Sequence, residues 1–220
     1  MSNKPPQQLF YMQLADLNTS QYLKCWNLIP QERKKRVETA PDSQKPLIAY
    51  SDLLVRYIAS STLNISPNNI VFDKSKLGKP FVKGFPNFRF SISHSGNLLV
   101  VFISDSAVGI DTEKISNPNL QIATRFFTKN ESDYIISEPS LSAKRFYEIW
   151  TCKEAYIKYL GKGLSCSLSS FDVLKEIRDN FYIFELNGYM ISAFSDNKVL
   201  HPHHVTQITE DYLIEALSSL

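Results

Sequence analysis

Apolar residues recur at helical spacing in two long stretches of the chain. In residues 47–60, LIAYSDLLVRYIAS, apolar side chains repeat every three or four positions, and Asp52 and Arg56 stand on the polar side. The same period runs through residues 141–160 and stops at Gly161, a residue type favoured just beyond helix ends. The pattern therefore predicts a long helix in each of these two stretches.

Shorter stretches of alternating or continuous apolar residues predict β-strands. Residues 87–93 and 98–103 flank Ser95-Gly96-Asn97, which predicts a hairpin. The other predicted elements are strands over 107–113, 170–174, 181–186, 189–194 and 204–208, a helix over 119–137 with a break at 127–130, and a short helix over 210–217. Helices and strands mix in both halves without a regular βαβ order, so the predicted fold class is α+β.

Composition narrows the class of protein but does not identify a function. Of 220 residues, 43% are hydrophobic and 21% charged, as in ordinary globular domains, and a net charge of +2 gives no sign of a nucleic-acid partner. Three scattered cysteines argue against a disulfide framework or a zinc site. The N-terminus lacks the apolar core of a signal peptide, and the longest apolar run is too short to span a membrane. We expect a cytoplasmic, monomeric protein without a membrane segment.

Two acidic residues of Gly109-Ile110-Asp111-Thr112-Glu113 are candidates for metal binding. On a strand, Asp111 and Glu113 point to the same face, and paired carboxylates are ligands that suit Mg²⁺. The alternative is a strand end whose acids face water, and these residues alone favour that alternative.

Further polar and basic segments are candidates for ligand contacts or for surface structure. Ser93 and His94 supply hydroxyl and imidazole donors, although a polar hairpin tip explains them equally well. Leu77-Gly78-Lys79-Pro80 reads first as a turn, without the pattern of a P-loop. The basic run 33–36 is typical of a solvated face. The histidines of 201–204 lack a metal-site spacing and predict a surface loop.

The segment WTCKEAYIK places Trp150, Glu154 and Lys158 four residues apart, on one side of a predicted helix. By itself the Glu154–Lys158 spacing indicates a surface ion pair that contributes a few tenths of a kcal/mol.

Taken in order along the chain, these segments resemble the 4′-phosphopantetheinyl transferases. The resemblance is to the single-chain type that activates peptide and polyketide synthetases such as surfactin synthetase, and it covers roughly residues 30–175. It implies a pseudo-dimer of two similar α+β halves, residues 1–106 and 107–220, each a small antiparallel sheet packed with helices, with the active site at their junction.

The resemblance also implies an activity, which is transfer of the phosphopantetheine arm of coenzyme A to a serine of an apo carrier protein. The carrier is of the acyl, peptidyl or polyketide type, the cofactor is Mg²⁺ or Mn²⁺, and 3′,5′-ADP is released. The implied metal ligands are Asp111, Glu113 and Glu154, and the implied catalytic residues are Glu154, Lys158 and Asp111. The implied coenzyme A contacts are Lys79, Pro80, Ser93, His94, Lys158, Arg33 and Lys35. Leu47 stands where the family usually has an arginine for the 3′-phosphate.

Two other functions compete with this interpretation. A Mg²⁺-dependent phosphodiesterase acting on coenzyme A or nucleotides would hydrolyse its substrate without any carrier protein. A non-catalytic module that binds coenzyme A or a carrier is expected to lack one of the three acids, and this sequence has all three.

Overall fold

The computed structural model of the chain describes residues 6–15, 17, 21–163, 166–175, 177–197 and 204–219. Its strands are β1 (Gln8–Gln13), β2 (Phe72–Lys74), β3 (Pro80–Val82), β4 (Arg89–Ser95), β5 (Leu98–Ser104), β6 (Val108–Lys114), β7 (Phe181–Leu186), β8 (Tyr189–Ser195) and β9 (Val205–Gln207). Its α-helices are α1 (Gln31–Thr39), α2 (Lys45–Leu63), α3 (Gln121–Phe126), α4 (Lys129–Ile136), α5 (Ser142–Leu160) and α6 (Glu210–Ser218). The predicted α+β class is confirmed.

The N-terminal half is built on a sheet with the strand order β4-β5-β1-β9. The hairpin β4–β5 and the pair β5–β1 are antiparallel. Helix α2 belongs to the same core, into which it buries Leu53, Leu54 and Ile58. Full burial of each such side chain contributes about 1.5–3 kcal/mol, so this apolar face is what holds α2 in place.

The C-terminal half pairs a three-stranded sheet, β6-β8-β7, with the long helix α5. Helix α5 ends at Gly161, which adopts the left-handed conformation with φ +64°. Strand β6 lies so close to α5 that a Cβ on Gly109 would stand 1.8 Å from the carbonyl oxygen of Ala155. A glycine is therefore required at this point of the strand that carries Asp111 and Glu113.

The last described elements return to the N-terminal half. Strand β9 pairs in parallel with β1, and the backbone N–H of Ile208 donates to the carbonyl of Tyr11. Helix α6 packs against α2, where Tyr57 and Tyr212 share a hydrogen bond. The division after residue 106 stays a prediction, and the C-terminal segment crosses it.

Most predicted elements have counterparts in the structure, and one does not. The predicted break at 127–130 is confirmed, because Thr128 caps α4 in a capping box with Glu131. The predicted strand over 170–174 is wrong. There the chain forms turns, in which the N–H groups of Val173 and Leu174 donate to carboxylates rather than to a neighbouring strand. Residues 201–203 of the predicted loop lie outside the described residues.

Within the described ranges, no helix is long and apolar enough to cross a membrane.

Candidate functional site

The two halves meet where β4, an edge strand of the first sheet, lies beside β6, an edge strand of the second. We call this line of contact the seam. Serine side chains join it: Ser91 accepts from the N–H of Ile110, at 3.1 Å, and Ser93 donates to Asp111 Oδ1, at 2.7 Å. Ser95 donates to Glu113 Oε2, also at 2.7 Å. Alternate residues of a strand share a face, so the spacing of the three serines directs all of them at β6.

Helix α5 brings Lys158 to the seam. Its Nζ donates to Asp111 Oδ1 at 2.7 Å and to Ser93 Oγ at 2.8 Å. The Asp111 side chain is buried, whereas that of Lys158 is 30% exposed, so the ammonium stays accessible. Ser93 was expected to donate to a bound phosphate, and the structure directs its hydroxyl to Asp111 instead.

The three predicted metal ligands lie close enough to affect one another's charge. Burial raises the pKa of Glu154, and the negative charge of Asp111 raises it further against the opposing effect of Lys158. Burial also raises the pKa of Glu113, although its hydrogen bond from Ser95 works in the other direction. A cation among these carboxylates would relieve their repulsion.

The chemistry of this acidic group fits a hard divalent cation. Asp111 Oδ2 is buried and has no hydrogen-bond partner among the described residues, and carboxylate oxygens are the ligands that Mg²⁺ prefers. In the described part of the chain, however, no three His, Cys, Asp or Glu side chains stand in position to hold a metal ion. At the seam, the Lys158 ammonium and the Ser95 hydroxyl donate to oxygens of Asp111 and Glu113.

A basic pocket of about 460 Å³ opens beside the seam. It has the volume of a small-molecule site. The basic side chains in its wall are Arg33, Arg36, Lys74, His94 and Lys158. Burial against this wall, and next the charge of Lys158, lower the pKa of His94. The arrangement favours a ligand with several negative charges.

Helix α1 presents two of its four consecutive basic residues to this pocket. Residues three apart share a helix face, so Arg33 and Arg36 line the pocket together. Arg33 Nε is also ion-paired with Asp52, at 2.7 Å from Oδ1. Lys35, predicted from the sequence as a ligand contact, is exposed and does not line this pocket, whereas Arg36 does. The three-residue spacing between Arg33 and Arg36 is the sequence signal that could have identified Arg36 as a second pocket residue.

A second, mainly apolar pocket of about 630 Å³ adjoins the first. The two pockets share Pro80, Ile92 and Lys158, and Glu154 lines only the second. Its apolar wall includes the exposed side chains of Leu77 and Phe126. Glu154 and Lys158 therefore stand where a charged compartment meets an apolar one.

Lys79 and Pro80 lie at this junction, and Lys79 is part of the wall of the apolar pocket. Pro80 lines both pockets, as expected of a ligand contact. The Lys79 ammonium instead donates to the backbone carbonyls of Val108 and Lys158, at 2.8 and 2.6 Å. It is directed into the protein and away from the basic pocket.

Two other residues of WTCKEAYIK are structural. Trp150 stacks on Phe146, with ring centroids 5.9 Å apart, which is the packing role expected of it. Lys153 is fully buried and ion-paired with Glu131 at 2.8 Å. The sequence reasoning did not single out Lys153, because its partner lies in another helix.

Comparison with known proteins identifies the family of the chain. A family model described as 4′-phosphopantetheinyl transferase superfamily matches residues 107–216, and one described as 4′-phosphopantetheinyl transferase, N-terminal, matches residues 17–106. The chain is 37% identical to 4′-phosphopantetheinyl transferase Sfp of Bacillus subtilis (strain 168) over 147 residues, which are 66% of this chain and 65% of that protein. It is 40% identical to 4′-phosphopantetheinyl transferase gsp of Aneurinibacillus migulanus over 137 residues, 62% of this chain and 56% of the relative.

A more distant relative is covered over a greater length. The L-aminoadipate-semialdehyde dehydrogenase-phosphopantetheinyl transferase of Mus musculus is 31% identical over 213 residues, 84% of this chain and 68% of that protein. The match to the bacterial relatives named above spans less than two thirds of their length. The family models and the mouse relative together show that the chain belongs to the 4′-phosphopantetheinyl transferase superfamily.

Proposed function

We propose that the chain transfers the 4′-phosphopantetheine arm of coenzyme A to a serine hydroxyl of an apo carrier protein and releases 3′,5′-ADP. Family membership supports the reaction class. The observation that carries the proposal is the position of Glu154 and Lys158, between a basic pocket and an apolar one at the junction of the two halves.

The two pockets match the two chemically different ends of coenzyme A. The phosphorylated adenosine end carries negative charges that Arg33 and Arg36 would attract in the basic pocket, where the His94 imidazole can donate a hydrogen bond. The pantetheine arm has the largely apolar character of the second pocket. Lys158, which lines both, would then lie beside the pyrophosphate that joins the two ends.

The transfer requires a base for the serine hydroxyl and positive charge at the phosphate, and residues of this chain would supply both. A bond forms between the carrier serine oxygen and the phosphorus next to pantetheine, and the bond from that phosphorus to the oxygen of 3′,5′-ADP breaks. Lys158 would stabilise the negative charge that develops on the phosphate oxygens. Glu154 would accept the serine proton, directly or through a water.

Asp111, Glu113 and Glu154 would hold Mg²⁺ or Mn²⁺ in this proposal, since their oxygens suit a hard cation. When bound, the ion supplies positive charge at the pyrophosphate. Ser93 and Ser95 would orient the two acids of β6 through the hydrogen bonds that they donate to them. We place the reaction in the cytoplasm and the enzyme in the monomeric state.

The test is to incubate the protein with coenzyme A, Mg²⁺ and a panel of apo acyl, peptidyl and polyketide carriers, and to weigh the carriers by mass spectrometry. We expect at least one carrier to gain the phosphopantetheine mass, with 3′,5′-ADP released in equal amount. Cleavage of coenzyme A without a carrier would indicate the phosphodiesterase instead. Binding of coenzyme A without either reaction would indicate a non-catalytic module.

A further inference from the structure

The turn between β2 and β3 is rigidly built around Lys79. The N–H of Ser75 donates to the carbonyl of Lys79 at 2.9 Å, and the Ser75 hydroxyl accepts from the N–H of Lys79 at 3.1 Å. Gly78, with φ +88°, provides the left-handed position that the turn requires. Pro80 then starts β3 with a fixed φ. The Lys79 side chain therefore leaves the N-terminal half from a fixed point.

The Lys79 ammonium ends in the C-terminal half, on three backbone carbonyls. Its Nζ donates to Val108 at 2.8 Å, to Lys158 at 2.6 Å and to Tyr159 at 3.4 Å. Three acceptors match the three protons of an ammonium group. Burial, and next the charge of Arg89, lower the pKa of Lys79 to about 8.

These carbonyls belong to the two elements that carry the site. Val108 is the first residue of β6, the strand of Asp111 and Glu113. Lys158 and Tyr159 lie in the last turn of α5, where the helix dipole attracts a cation, and the Lys158 carbonyl also accepts from the N–H of Gly161 at 3.2 Å. The stem of Lys79 passes Gly161, where an added Cβ would lie 3.5 Å from it. One ammonium group thus fixes the start of β6, the end of α5 and a turn that lines both pockets.

We infer that Lys79 is a positioning residue for the transfer, which holds the Lys158 ammonium in register with the pocket turn rather than binding substrate itself. This inference rests on the proposed function. The contacts separate it from the rival role as a ligand for coenzyme A, because all three of its protons are directed at protein carbonyls. A residue that acts through Lys158 has no effect once the Lys158 ammonium is gone.

The experiment is a double-mutant cycle with Lys79→Met and Lys158→Met, measured as kcat for carrier modification at saturating coenzyme A. We expect Lys79→Met to lower kcat by up to about tenfold, because a positioning residue cannot cost more than the group that it positions. We expect the double variant to be no slower than Lys158→Met. The matched control is Lys76→Met, an exposed lysine of the same turn, which should transfer at the wild-type rate.

Binding of coenzyme A, measured by calorimetry, separates the two roles of Lys79. If Lys79 only positions Lys158, the dissociation constant of coenzyme A for Lys79→Met should stay within about twofold of the wild-type value. If Lys79 binds a phosphate of coenzyme A, the variant loses a charge-assisted hydrogen bond, and the dissociation constant should rise by more than that. Weaker binding with an unchanged kcat would overturn the inference, and so would losses that multiply in the double variant.

If Lys79→Met does not fold, Lys79→Arg replaces it in the double-mutant cycle, because arginine keeps a charged donor near the carbonyls. If the wild type is active and the losses in kcat multiply in the double variant, only this inference is rejected. If the wild type modifies no carrier, the proposed function is rejected together with the inference.

Discussion

Helix α5 has two faces that carry the same kinds of residue for different purposes. On the inner face, Lys153 is 0% exposed, and its ammonium is surrounded by Glu131 and by the carbonyls of Leu168 and Phe171. On the seam face, the Lys158 side chain is 30% exposed and lines both pockets. The two lysines are five residues apart in one helix.

The difference lies in where the partners of each lysine come from. The acceptors around Lys153 all belong to the C-terminal half, and the aromatic ring of Phe171, 4.4 Å away, closes the site to water. Lys158 bonds to Asp111 of its own half and to Ser93 of the other half, at the edge of an open pocket. A lysine enclosed by its own half stabilises the fold, whereas a lysine at the junction of two halves remains available to a ligand.

The inner face should yield the largest effect on stability. Lys153→Met keeps the unbranched stem but leaves the Glu131 carboxylate buried without its cation, and such a loss costs about 3–5 kcal/mol of unfolding free energy. Urea denaturation followed by circular dichroism measures it. Adding Glu131→Gln to the same chain should restore part of the loss, because a neutral amide at that position needs no cation. A Lys153→Met variant as stable as the wild type would contradict the assignment of this face.

The seam face should show the opposite pattern, with activity lost and stability kept. Glu154→Gln is expected to slow transfer by at least about a hundredfold, the usual size of a lost base or electrostatic contribution. The fold should not weaken, because the raised pKa of Glu154 means that folding already disfavours its charged form. Transfer rate and melting temperature are measured on the same preparations. If the transfer rate of Glu154→Gln falls only in proportion to its loss of stability, Glu154 is a structural residue.

A smaller loss of activity is expected when the positive charge of Lys158 is removed from the seam face. Lys158→Met should lower kcat by about tenfold, equivalent to about 1.4 kcal/mol, because Arg33, Arg36 and Lys74 still attract the polyanion. An exposed lysine in an ion pair, Lys129 with Asp133, provides the matched control. Steady-state kinetics at saturating coenzyme A are the measurement. Equal rates for Lys158→Met and Lys129→Met would remove Lys158 from the site.

The sequence predicted those parts of the molecule that depend on local pattern. The period of α5, the shared face of Asp111 and Glu113, and the side shared by Glu154 and Lys158 all follow from helix and strand geometry. Strand β1 and its parallel partner β9 were harder to foresee as a pair, since they lie near opposite ends of the chain, with Leu9 aligned to Val205. The ammonium groups of Lys79 and Lys153 also find their acceptors far along the chain or in other elements.

Local pattern also fails to separate a structural pair from a functional one. Asp52 and Arg56 in α2 have the same spacing as Glu154 and Lys158, yet Arg56 is buried and donates to the carbonyls of Pro67 and Ile70. The two pairs differ because loops of the N-terminal half bury Asp52 and Arg56. The spacing of residues along a helix does not reveal such burial. The same limit explains the choice between Lys35 and Arg36, which depends on which face of α1 meets the pocket.

The smallest expected effect tests the seam face without any assay of transfer. A cation disfavours the protonated form of a nearby histidine, and Lys158 is the second cause, after burial, of the lowered pKa of His94. In Lys158→Met that cause disappears, while the negative charge of Asp111, which acts in the other direction, remains. The pKa of His94 should therefore rise, and the imidazole should gain its proton at a higher pH than in the wild type. NMR titration of the His94 ring protons measures the change, and Lys129→Met should leave the titration unmoved. A His94 pKa that is the same in Lys158→Met and in the wild type would mean that the Lys158 ammonium does not face the basic pocket, and the contrast between the two faces of α5 would fail.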